Sequence, residues 1–196
     1  MAEGDPTIVE DHLLRRIIMS TADKNAPPAV LGVAVLTVSD TRTEETDTSG
    51  HYLVGALQEA GHNLVDKQIV IDDIYRIRAV LSQWIADPAV QAVLITGGTG
   101  FSGRDSTPEA VSVLFDKQVD GFGELFRALS FEEIGTSTIQ SRALAGLANN
   151  TIIFCVPGST NACRTGWEKI IRSQLDSTYR PCNFVGVLQT RLRGGH

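Results

Sequence analysis

VLGVAVLTV, Val30 to Val38, is an apolar and largely β-branched run with no polar alternation, the pattern of a strand buried on both faces of a parallel sheet. The polar loop SDTRTEETDTSG follows, Ser39 to Gly50. Its Thr48 or Ser49 can cap a helix that carries Tyr52, Leu53, Ala56, Leu57 and Ala60 at helical spacing and stops at Gly61. Asn63 to Ile71 predicts a second strand. Asp72 or Asp73 then caps a helix running through Trp84 and Ile85, which Asp87 and Pro88 close before a third strand at Val90 to Ile95. This βαβαβ order predicts a parallel sheet with helices on both faces and ligands beyond the carboxyl ends of the strands. The loops at Ser39, Asp72 and Thr96 are therefore expected on one rim.

On the N-terminal side, residues 1–28 are polar and charged around one short patch, Leu13 to Met19, which Arg15 and Arg16 interrupt. They end in Ala26, Pro27 and Pro28, a stiff breaker, and read as an extension. The opening MAEGDP carries acidic residues where a signal peptide would be positive, so export is not expected. At 196 residues, with 42% hydrophobic and 20% charged, the composition is that of a soluble globular domain with an appendage. No apolar run approaches the ~18 residues of a membrane helix. A net charge of −6 argues against a nucleic-acid binder working by massed phosphate contacts. Cys155, Cys163 and Cys182 have no CxxC spacing, which disfavours a disulfide framework or a zinc site and fits a reducing cytoplasm.

Further along, Pro108 to Phe115 predicts a short helix, and the segment from Gly121 a longer one burying Phe122, Leu125, Phe126 and Leu129. Phe115, Phe122, Phe126 and Phe131 are expected in the core or a subunit contact, and His51 and His62 at the surface. Ala143 to Leu147 and Thr151 to Val156 flank Ala148, Asn149 and Asn150, a compact link that predicts an antiparallel hairpin. Pro157 and Gly158 turn the chain, and Ser159 or Thr160 caps a last helix ending near Leu175. Residues 176–196 show no strong periodicity, and 185–196 read as a flexible tail.

ITGGTGFSGRDSTPEA, Ile95 to Ala110, concentrates the chemistry. Its glycines can take φ > 0 and approach a ligand, and it runs into a helix N-terminus, so it is a candidate phosphate cradle. It is no Walker loop, since no Gly-Lys-Ser or Gly-Lys-Thr follows, and it lacks the GxGxxG order. Asp105 can bind magnesium while Arg104 or the loop amides hold phosphate oxygens; it can equally cap the helix near Thr107 and Pro108. Asp72 or Asp73 can share a cation from the neighbouring loop or serve only as a cap. Ser39 with Asp40, and Pro157, Gly158 and Ser159, add anion-binding groups on two further loops. Cys155 reads as a small core hydrophobe, and no candidate His lies near the cysteines in sequence.

Taken together, LTVSDTR (Leu36 to Arg42), DTSGHYL (Asp47 to Leu53), LITGGTG (Leu94 to Gly100), RDSTPEA (Arg104 to Ala110), GFGELFR (Gly121 to Arg127) and VPGSTNAC (Val156 to Cys163) make the chain resemble the MoaB and MogA family of molybdenum cofactor biosynthesis proteins. LSFEEIGTSTIQSRALAG, Leu129 to Gly146, makes it most similar to the B type. The resemblance implies one α/β domain over residues 29–184, a three-layer α/β/α sandwich whose mostly parallel sheet includes the hairpin. It also implies a trimer or dimer of trimers, and adenylyl transfer from magnesium ATP to the terminal phosphate of molybdopterin. Asp72 and Asp105 fall at the family's acidic catalytic positions and would serve magnesium. Thr96, Gly97, Gly98, Thr99 and Gly100 would cradle phosphate with Arg104, while Ser39, Asp40 and Pro157 to Ser159 would help hold substrate. The alternative is a non-catalytic protein that binds molybdopterin or nucleotide for a neighbouring enzyme of the pathway.

Overall fold

β1 (Gly32–Val38) forms from the apolar run; it has a strand on each side and a hydrophobic core against each face, which is why both of its faces are apolar. A computed structural model describes residues 27–193, so the expected extension lies, apart from Pro27 and Pro28, outside the described residues. After β1 come α1 (Thr48–Glu59), β2 (Asn63–Val70), α2 (Ile74–Ala86) and β3 (Ala92–Thr96). Then follow α3 (Thr107–Ser112), β4 (Lys117–Gln118), α4 (Asp120–Ile134), a 3-10 segment (Gly135–Gln140), β5 (Leu144–Ala148) and β6 (Thr151–Val156). Next are α5 (Thr160–Gly166), a π-helical turn (Trp167–Ile171) and α6 (Arg172–Gln174), and last comes α7 (Phe184–Arg193).

The strands form one six-stranded sheet in the order β2-β1-β3-β6-β5-β4. β2, β1, β3 and β6 are parallel, and β5 and β4 complete it antiparallel through the predicted hairpin, whose turn residue Asn149 has φ 53°. The chain leaves β1 toward β2 and returns on the other side as β3, so strand order reverses at β1/β3. At that switch point the flanking connections diverge to opposite faces and leave a crevice beyond the strand ends.

Alternation along the strands makes two cores. Val33, Val35, Leu94, Ile152 and Phe154 face α1, α4, α5 and α7, meeting Leu53, Leu57, Phe122, Phe126 and Trp167. Ala34, Leu36, Val93, Ile95 and Ile153 face α2 and α3, meeting Ile77, Leu81, Trp84 and Val111. This is the three-layer α/β/α arrangement.

Several local expectations change. Asp47, not Thr48 or Ser49, caps α1: its carboxylate accepts from Gly50 N at 2.9 Å and from Thr37 Oγ1 at 2.8 Å, and lies 3.1 Å from Lys67 Nζ. The buried face of α4 runs Phe122, Phe126, Ser130 at four-residue steps, leaving Leu125 and Phe131 exposed. His62 is buried, its Nδ1 accepting from Leu31 N at 3.3 Å where β1 begins. The tail is not featureless through its described length: α7 inserts Val185 and Leu188 into the first core, and Phe184 meets Phe154 edge-on at 6.1 Å. Among the described residues no helix is long and apolar enough to cross a membrane.

Candidate active site

β1, β3 and β6 end at one level, Thr37 pairing with Thr96 and Thr96 with Val156, so their following loops converge. Gly97 leaves β3 at φ +101°, and a Cβ there would stand 2.1 Å from the Val38 carbonyl oxygen. Gly98 has φ +63°, with its Cβ position 2.3 Å from Thr107 Oγ1 and 2.6 Å from Asp72 Oδ2. Only glycine fits this passage between β1 and α3. Thr107 fastens it from the far side, its hydroxyl donating to Gly97 O at 2.9 Å and its amide to Gly98 O at 3.0 Å. The amides of Gly98 and Thr99 have no acceptor among the described residues.

An open cleft of about 410 Å³ lies on this loop, lined by Val38, Gly97, Gly98, Thr99, Gly100, Asp105, Pro157 and Gly158. Thr96 is buried below it. The Thr96 hydroxyl donates to Pro157 O at 3.2 Å and lies 3.1 Å from Cys163 Sγ, tying the Pro157 turn to the glycine loop. Ser159 caps α5 by accepting from Ala162 N at 3.1 Å. The opposite wall, Ile134, Ser137, Gln140 and Ser141, comes from the end of α4 and the 3-10 segment, which sequence reasoning did not assign to the site.

The remaining expected residues gather beside the cleft, outside its lining. Asp72 N donates to Asp40 Oδ1 at 3.1 Å, and Arg104 pairs with Asp40 through both carboxylate oxygens, at 2.8 Å each. Ser39 Oγ accepts from the amides of Thr41 and Arg42 and so shapes its own turn. The two neighbouring aspartates separate by role. Asp73 caps α2, accepting from Tyr75 N and Arg76 N. Asp72 turns to the glycine loop, its Oδ1 accepting from the amide and hydroxyl of Ser106, while Oδ2 accepts no hydrogen bond among the described residues.

Asp105 does not cap α3; it accepts from Ser102 N at 2.7 Å within its own loop. Burial pushes its carboxyl up, but hydrogen bonds from Ser102 and Gly100 and the charge of Arg142 outweigh this and hold it below the usual carboxylate range. It is ionised at neutral pH. Arg142 is the residue the sequence reading missed. Its Nε donates to Gly100 O and its Nη2 to Asp105 O, both at 2.7 Å, Nη1 pairs with Glu109, and the guanidinium lies 5.1 Å from the Phe101 ring centroid. One side chain thus spans the loop carrying Asp105. Arg142 lies within Leu129 to Gly146, but spacing gives no sign that it reaches a loop 42 residues earlier.

Burial raises the Cys163 thiol to about 11 and Cys155 further, so neither supplies a thiolate nucleophile. The site offers backbone amides, two carboxylates and a guanidinium, groups suited to aligning phosphates.

Residues 34–177 match the family model described as "Probable molybdopterin binding domain". The chain belongs to this molybdenum cofactor family. The molybdenum cofactor biosynthesis protein B of Escherichia coli strain K12 is 64% identical over 152 residues, covering 78% of this chain and 89% of that protein. A crystal structure of a molybdenum cofactor biosynthesis protein B superposes with a TM-score of 0.76 at 40% identity, covering 86% of this chain and 99% of the other. The tungsten cofactor synthesizing protein MoaB of Pyrococcus furiosus gives 0.70 at 34%, covering 86% and 100%. Family membership assigns the chain to molybdenum cofactor biosynthesis, and the cleft lies wholly within the matched residues.

Proposed function

We propose that the chain transfers the adenylyl group of magnesium ATP to the terminal phosphate of molybdopterin, giving AMP-molybdopterin and pyrophosphate. The carrying observation is that Gly98 and Thr99, whose amides have no acceptor among the described residues, line the same cleft as the ionised Asp105. A phosphate oxygen of molybdopterin attacks the α-phosphorus. The new P–O bond forms as the bond to the β-phosphate bridging oxygen breaks, and pyrophosphate leaves with that electron pair. A phosphate is already nucleophilic, so the protein needs to align the groups and offset charge, and no covalent enzyme intermediate is required.

Magnesium takes one or two carboxylates and completes its shell with water and phosphate oxygens, a demand met by the ionised Asp105 and by Asp72 Oδ2, which accepts no hydrogen bond among the described residues. Asp72 and Asp105 would hold it, and when bound it supplies charge neutralisation at the phosphates. Gly98 and Thr99 amides orient the phosphate chain, and Arg142 keeps the Asp105 loop in place. Free, buried Cys155 and Cys163 support a cytoplasmic setting. Exposed Phe131, Ile134 and Ile139 support self-association as the trimer or dimer of trimers, which sedimentation measures.

The roles are tested with Asp72→Asn and Asp105→Asn. Each is expected to lower turnover by about a hundredfold or more while changing nucleotide affinity far less. Full activity in both variants removes the carboxylates from the reaction.

A further inference from the structure

The Arg104 guanidinium is not directed into the cleft. It holds Asp40 in a two-bond fork, Nε to Oδ2 and Nη2 to Oδ1, each 2.8 Å. This is the geometry in which arginine takes two oxygens of a phosphate. The pair bridges two loops beside Asp72: Asp40 Oδ1 also accepts from Asp72 N, and Arg104 Nη2 lies 3.5 Å from Asp72 O. Both partners face solvent, their side chains 64% and 37% exposed, so the attraction is weak and readily exchanged.

We propose that Asp40 is an internal stand-in for substrate phosphate, and that a polyphosphate entering the site takes Arg104 from it. Arg104 is thereby stationed beside Asp72 before substrate arrives, and Asp40 sets the anion affinity by competing for the same fork. The inference rests on the reading above that the substrate carries phosphates, and it names the residue that limits how tightly they bind.

A double-mutant cycle on the full chain tests this, with calorimetric titration of magnesium ATP and of pyrophosphate into wild type, Asp40→Asn, Arg104→Gln and the double variant. Asn keeps Oδ1 for Asp72 N while removing the charge, and melting curves confirm that each variant is folded. Asp40→Asn is expected to tighten both probes about two- to fivefold. Arg104→Gln is expected to weaken them about tenfold, and Asp40→Asn to have no effect in that background. Arg104→Lys, which keeps charge but lacks the fork, should also abolish the tightening. The proposal is overturned if Asp40→Asn leaves binding unchanged or weaker, if it tightens binding equally with and without Arg104, or if no variant binds either probe. A protein showing the predicted coupling but forming no AMP-molybdopterin keeps this role for Asp40 and loses the adenylyl transfer. One forming the product without the coupling loses only this role.

Discussion

Gly97→Ala is the sharpest single perturbation of the site. A side chain at φ +101° costs on the order of 1–3 kcal/mol of backbone strain. The new methyl would also stand 2.1 Å from the Val38 carbonyl oxygen, which is backbone in a central strand and cannot rotate away. Relieving that overlap by moving β1 or the loop costs roughly another 1–3 kcal/mol. The expected loss is therefore about 4 kcal/mol, a fall in melting temperature of roughly 8–16 °C for a chain of this size. Urea denaturation followed by circular dichroism measures it, with magnesium ATP titration on the same samples. Gly103→Ala is the control: it meets nothing within 4 Å, so it should stay within about 1 kcal/mol of wild type. If Gly97→Ala is as stable as Gly103→Ala and binds nucleotide normally, the argument that the loop requires glycine at this position is wrong.

Leu188→Ala should cost about 2–4 kcal/mol, because α7 buries that side chain in the core; a change below about 0.5 kcal/mol in denaturant midpoint would return residues 185–196 to the status of a tail. Burial lowers the His62 pKa, with Asp176 opposing, so His62 is neutral in the fold and accepts from Leu31 N. As pH falls through the ordinary histidine range near ~6.5, the unfolded chain binds a proton that the folded one refuses, and stability drops until the folded pKa is passed. His62→Gln should flatten this part of the stability profile, and an unchanged slope would assign the dependence elsewhere. Arg142→Gln removes bonds to the Gly100 and Asp105 carbonyls and should destabilise by about 2–3 kcal/mol. It should also raise the pH at which the Asp105 carboxyl titrates by carbon NMR, and an unmoved titration would deny Arg142 its electrostatic role.

What was legible in the chain follows from how local each signal is. The apolar run at Val30 to Val38 marks a strand buried on both faces, and the βαβαβ order places the loops at Ser39, Asp72 and Thr96 together, as Asp72 N on Asp40 and Ser106 on Asp72 bear out. Which of Asp72 and Asp73 faces the loop was undecidable, since either suits a helix start; the three-dimensional path gives Asp73 the cap. His62 looked like a surface residue because its burial depends on the start of β1 crossing above it. Arg142 and the wall at Ile134 to Ser141 escaped for the same reason, their link to Gly100 and Asp105 being long-range. α7 escaped because its burial is also long-range, with Phe184, Val185 and Leu188 packing on a core formed by residues much earlier in the chain.

The most direct measurement is to incubate the full chain with molybdopterin, magnesium and ATP labelled at the α-phosphate, and to follow label appearing in molybdopterin alongside released pyrophosphate. The account predicts AMP-molybdopterin and pyrophosphate in equal amounts, with both lost in Asp72→Asn and Asp105→Asn. Tight binding of nucleotide and pterin by the wild-type protein with no labelled product would contradict it and leave a binding protein of the same pathway.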